Sequence, residues 1–262
     1  MSGTGALPIS EGSLALSALL IGLNLAISSV LRLGLGRPLL LASTRMVVQL
    51  LLVGGVLEWL FRQDNPLTIL GLGLVMACIA ALSAVKRTRR RFAGIYWNSL
   101  VSVLAASSLV TGLALVGIIR PQPWFAPQYL IPLLGMVLGN TLNGISLGLD
   151  RLMESLLSQR DQVELRLCLG ACRELVAEAI RVGMIPTINS MLVMGLVSLP
   201  GMMTGQILQG GAPSAAVRYQ IVVLFMIAAA TALGLVSVVL LAYLGLTSRD
   251  HQLRLERLSQ LP

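Results

Sequence analysis

One histidine, one lysine and three cysteines in 262 residues remove most of the usual site chemistries. His251 stands alone near the C-terminus, and Cys78, Cys168 and Cys172 include no pair flanking an external loop. Neither a histidine-rich metal site nor a disulfide framework is available. The single lysine, Lys86, follows Val85 rather than glycine, which excludes a Walker A phosphate loop and leaves the chain without a nucleotide site of that type. Carboxylates are sparse too. Glu58, Asp64 and Asp150 are scattered, whereas a membrane-embedded hydrolase or transferase needs acids or histidines clustered at the bilayer face, so no enzyme activity is expected.

What is present is apolar: 56% of the residues are hydrophobic and only 11% charged. The apolar residues fall in runs of about 20, the length that crosses a bilayer. Seven runs are expected to be spans: Leu14–Leu31, Leu39–Leu60, Leu67–Val85, Gly94–Ile119, Tyr129–Leu149, Met184–Ile207 and Tyr219–Leu246. The fold class is an all-α integral membrane protein with about seven transmembrane helices, forming one transmembrane domain over residues 1–262. The opening "MSGTGALPISEGS" has no basic residue ahead of its apolar run, unlike a cleaved signal peptide, so the first span is expected to stay.

The net charge of +8 lies in short segments between spans, where it sets orientation and contacts anionic lipid rather than nucleic acid. Arg32, Arg37, the "KRTRRR" run at 86–91, Arg151, Arg160, Arg166, Arg173, Arg181, Arg249, Arg254 and Arg257 fall on one side. Only Arg62, Arg120 and Arg218 fall on the other. The first side is expected to be cytoplasmic, with the N-terminus outside and the C-terminus inside a bacterial inner (plasma) membrane. The external loops then read "RPQPWFAPQ" (Arg120–Gln128) and "QGGAPSAA" (Gln209–Ala216), both rich in turn residues.

The longest polar connection, about 151–183, carries five arginines and five acids. Leu152, Leu156, Val163 and Leu167 recur at helical spacing, so the fifth span is expected to continue into the cytoplasm. Gly170 interrupts that helix, and a second short helix around Arg173–Arg181 leads into Pro186. Such a rigid projection suits docking rather than tethering.

Glu164, Gly170 and Ala171 resemble the start of the EAA coupling loop of ABC-transporter membrane subunits, although Leu165 and the late Pro186 depart from that pattern. A wider set resembles the Fet-type iron-export permease family: "GMVLGNTLNGISLGLDRL" (135–152), "LGA" (169–171), "IPTINS" (185–190), "GLVSLPGMMTGQI" (195–207) and "YQIVVLFM" (219–226). That family includes bacterial iron exporters and membrane subunits of plant aluminium-tolerance transporters. The resemblance implies a permease homodimer served by a separate cytoplasmic ABC ATPase subunit. ATP and Mg would sit on that partner, with no cofactor in this chain, and Glu164, Gly170, Ala171 and Arg173 would form the coupling surface. The family pattern places an Asp after the proline turn and a Lys three residues later. Here those positions hold Asn189 and Leu192, either as joint loss of an ion pair or as loss of a metal ligand.

Candidate path residues come in groups, each with a plainer reading. Arg45 and Gln49, spaced i,i+4, either face a polar interior or snorkel to headgroups. Asn140 and Asn143, among glycines 135, 139, 144 and 148, either meet substrate or bond neighbouring helices in a glycine-packed seam. Asn189 completes the amides. Met191, Met194, Met202 and Ser198 are expected on one helical face, broken at Pro200-Gly201; freed carbonyls there either line a cavity or mark a proline kink. Cys168 and Cys172, at i,i+4, either bind a soft metal or simply pack. The expected function is export of iron or another metal ion. The competing readings are an ABC permease for a sugar nucleotide or other organic solute, and a stand-alone secondary transporter.

Overall fold

Two helices begin where the sequence supplies a side-chain cap. Ser10 Oγ accepts from the Ser13 amide at 3.2 Å and opens α1 (Glu11–Val30). Asn65 Oδ1 accepts from the Leu67 amide at 2.9 Å, and Pro66 takes the first helical position of α3 (Pro66–Arg87). Between them runs α2 (Gly36–Phe61). The computed structural model describes residues 10–62, 65–88, 90–92, 94–158, 173–246 and 258–260. The chain continues through α4 (Ile95–Leu113), whose last turns widen into a π-helix over Ala114–Ile119, and α5 (Pro127–Ser158). Then come α6 (Arg173–Val193), α7 (Gly201–Leu208) and α8 (Pro213–Leu246).

Six of these helices are long and apolar enough to cross a membrane: α2, α3, α4 with its π turn, α5, α6 and α8. In α1 the apolar part, Leu16–Val30, is shorter. The expected fold class holds, with one addition: β1 (Arg90–Phe92) pairs antiparallel with β2 (Leu258–Gln260), Phe92 opposite Leu258. That pairing brings the α3–α4 connection beside residues 258–260.

The chain packs as two compact units. The first holds α1 and α2, joined by a turn in which Ser28 Oγ accepts from the Leu35 amide at 3.1 Å. In the second, α3, α4, α5, α6 and α8 form one bundle. Its tightest seam is built on glycine. A Cβ on Gly144 of α5 would lie 2.6 Å from Thr231 Cγ2 and 3.1 Å from the Gly183 carbonyl oxygen. One on Gly183 of α6 would lie 2.8 Å from the Gly144 oxygen. Thr141 abuts Gly234, and Gly148 abuts Ala179 and Val239, so α8 runs parallel to α5 and α6 antiparallel to it. Small residues let the backbones approach this closely, which is how helices gain dispersion energy where lipid removes the hydrophobic drive.

Two expectations about α6 are corrected. The short helix around Arg173–Arg181 and the first part of the sixth span, to Val193, are one continuous helix, with Pro186 inside it. The packed seam at Gly183 lies three residues before Pro186, and the helix continues through it. The break comes earlier than Pro200-Gly201. Gly195 adopts φ +85°, its amide donates to Ser198 O at 2.9 Å, and the Ser198 amide returns to Val193 O at 3.3 Å. A left-handed glycine ends a helix in this way, so Met191, Met194, Ser198 and Met202 share no helical face.

Candidate functional site

Past Gly148, α5 stays packed along α8, which continues beside it to Leu246. Leu152, Met153, Leu156, Leu175 and Ala179 are all buried, so the two helical-period leucines behave as expected. Arg151 Nη2 donates to Glu178 Oε1 at 2.5 Å and its Nε to the same oxygen at 3.2 Å, while Nη1 reaches Glu154 at 3.3 Å. With two donors converging on one carboxylate oxygen, this guanidinium ties α5 to α6 just past the Gly148–Ala179 contact. Glu164, Gly170 and Ala171, with Cys168 and Cys172, lie outside the described residues. Arg173 is the first residue of α6.

One bond locates Asn143 along the bundle. Arg87, the last residue of α3, donates Nη1–H to Asn143 Oδ1 at 2.6 Å. Asn143 therefore lies within reach of the end of α3. From there to Ser158, α5 continues for about 22 Å at about 1.5 Å per residue. Gly183 of α6 abuts Gly144. The non-helical Met194–Pro200 segment then lies about 15 Å along α6 from the Gly183–Gly144 contact, at about 1.5 Å per residue, and is followed by the eight-residue α7. Within a hydrocarbon core, backbone without helical partners is tolerated only where it is buried or lines a cavity.

The remaining candidates divide between packing and exposure. Asn140 Nδ2 donates back to Met136 O at 2.8 Å, within its own helix. Asn143 forms the interhelical link, and it is exposed together with Arg87. Asn189 and Gly201 are exposed; Met194, Pro200 and Met202 are half-buried. In the other unit, Arg45 and Gln49 are exposed on one side of α2, in a row with Arg37 along an open groove. Among the described residues, no three His, Cys, Asp or Glu come together.

The sequence reading missed three features. Arg151–Glu178 and Arg87–Asn143 join residues 27 and 56 positions apart, beyond the reach of local periodicity. Thr141 and Thr231 are fully buried against the seam glycines, and neither hydroxyl has a partner among the described residues. Threonine in an apolar run gives no signal of which way it points.

A family model described as an uncharacterised protein family (UPF0014) matches residues 12–246. The chain belongs to that family. A UPF0014 membrane protein of Synechocystis is 40% identical over 239 residues, covering 89% of this chain and 92% of that protein. The probable iron export permease protein FetB of Escherichia coli is 32% identical over 258 residues, covering 96% and 98%. The protein ALUMINUM SENSITIVE 3 of Arabidopsis thaliana is 31% identical over 245 residues, covering 92% and 88%. No solved structure matches the chain. The UPF0014 match begins within α1 and ends at Leu246, the last residue of α8, so it takes in every described helix.

Proposed function

We propose that this chain is the membrane-spanning permease subunit of an ABC transporter, exporting iron or another metal ion as a homodimer with a separate cytoplasmic ATPase. The observation that carries this is the continuity of α6. One helix runs from Arg173, past the Glu178 salt bridge and through the Gly183 seam, to the interrupted Met194–Pro200 segment. A push on the Arg173 end of α6 would thus be delivered as a rigid-body motion to the break that follows Val193. A permease lacking its own phosphate loop needs that linkage. The interrupted helix offers backbone carbonyls and thioethers as transient ligands. The name of the E. coli relative supports iron as cargo.

A second reading keeps the same machinery with an organic anion as cargo. It is favoured by the exposed guanidiniums of Arg45 and Arg87 beside the amides of Gln49 and Asn143. In complex with the ATPase, Gly170→Val or Glu164→Lys is expected to leave membrane insertion intact while abolishing transport-coupled ATP hydrolysis. Unchanged ATPase association and transport in both variants would reduce the loop to a tether and reject the ABC reading.

A further inference from the structure

We propose that the bundle carries a binding site for one anionic phospholipid, drawn from the leaflet on the Arg120 side. Between α3, α4 and α5 lies a groove of about 330 Å³, shaped by the small residues Gly73 and Ala77, Ser108 and Gly112, with Leu130 and Leu134 on its α5 side. Along α4 it extends from Leu104 to Val116, about 18 Å at about 1.5 Å per residue. One leaflet of an about 30 Å hydrocarbon core is about 15 Å deep. The groove is therefore a single leaflet long. A helix from a second copy would cross both leaflets, whereas this groove ends at Leu104; an acyl chain matches its length and its apolar lining.

The open end is where a headgroup would sit. A second recess, lined by Leu115, Val116, Arg120, Pro121, Gln122 and Trp124, shares Leu115, Val116 and Trp124 with the groove, so the two adjoin. The π turn of α4 ends here with the Arg120 amide on Leu115 O at 2.8 Å. Arg120 itself is left-handed at φ +51°, and its Nε–H donates to Gly117 O at 3.1 Å. That bond holds the exposed guanidinium at the recess. Residues 65–149 contain no Asp or Glu, so no acid in that stretch neutralises it. A fixed cation at the polar end of a leaflet-deep apolar groove, beside an interfacial tryptophan, complements a phosphate with its acyl chain below.

The test is native mass spectrometry of the full chain taken from vesicles of mixed phosphatidylglycerol and phosphatidylcholine. One phosphatidylglycerol retained per chain is expected. At Gly112 a Cβ meets nothing within 4 Å, so Gly112→Leu projects into the groove without striking the bundle. It is expected to cut retention at least about tenfold, since each buried methylene contributes severalfold to lipid affinity. Arg120→Asn removes the charge with a residue that accepts the left-handed region. It is expected to lower the preference for phosphatidylglycerol about fivefold. Unchanged selectivity in Arg120→Asn overturns the proposal by itself. So does a Gly112→Leu protein that keeps its lipid, or one that keeps its lipid while its oligomeric mass falls, which would assign the groove to a second chain.

Discussion

Gly183 and Gly195 lie on one stretch of chain and serve opposite ends. A Cβ at Gly183 would stand 2.8 Å from both the Gly144 oxygen and Leu235 Cδ1; at Gly195 nothing lies within 4 Å, yet φ is +85°. The first glycine is there for what surrounds it, the second for the conformation of its own backbone. One position fuses α6 to the bundle, and the other releases the chain from it. The comparison teaches that a glycine-rich membrane segment alternates between rigid and yielding parts, and here the alternation aligns the salt-bridged end, the seam and the break along a single path.

The largest expected effect breaks the seam. Gly183→Val drives a branched side chain against backbone that cannot retreat, and a loss of about 3 kcal/mol or more is expected. It would show as little monodisperse protein on size exclusion in detergent. Gly195→Ala adds strain only, about 1 kcal/mol, and should yield folded protein with altered transport. Equal losses from the two substitutions would erase the distinction between them.

How far these parts were legible in the sequence follows the range of the forces that set them. The second to fifth and seventh spans and the Leu152 and Leu156 face depend on local period and are found where expected, whereas the first is shorter and the sixth, expected at Met184–Ile207, is a helix over Arg173–Val193. The glycines at 144 and 148 were legible as packing residues, but not their partners, because Gly183, Leu235 and Ala179 arrive from distant helices. Pro186 looked like a boundary and is helix interior, since the seam just before it overrides the local preference. The break was assigned to Pro200-Gly201, where the signal is strong. It starts with Gly195, whose conformation depends on the returning Ser198 and Val193 bonds. The path amides were visible as residue types only. That Asn140 bonds its own helix while Asn143 meets Arg87 depends on which side of α5 faces α3.

A smaller effect sharpens the role of the salt-bridged end. The Arg151 and Glu178 side chains remain 35% and 45% exposed, so solvent screens their pair. A double-mutant cycle with Arg151→Ala and Glu178→Ala is expected to give about 0.5 kcal/mol of coupling, less in high salt. The consequence for transport should exceed that for folding, because α5 and α6 would no longer be tied beyond the Gly148–Ala179 contact. Exchanging the charges, Arg151→Glu with Glu178→Arg, should restore coupled ATP hydrolysis. Failure of the exchange, with folding intact, would locate the importance of these residues in partner contact rather than in joining the helices.

The smallest expected effect on stability belongs to the break itself. Met194 and Met202 are half-buried on either side of the Gly195 turn, and changing both to leucine nearly conserves volume, so less than about 1.5 kcal/mol should be lost. What leucine removes is sulfur. Hard trivalent ions prefer charged oxygen ligands, which the described break does not supply, whereas thioethers suit softer ions, with Fe(II) between the extremes. Under metal overload, the double variant is expected to accumulate intracellular iron or a softer metal as a deletion strain does, despite normal amounts of folded protein. Amides and carbonyls alone would pass an organic anion equally well with leucine present. Normal metal content in both strains, with an organic solute failing to cross in the deletion strain, would therefore transfer the cargo to the anion reading and leave the α6 linkage as the mechanism.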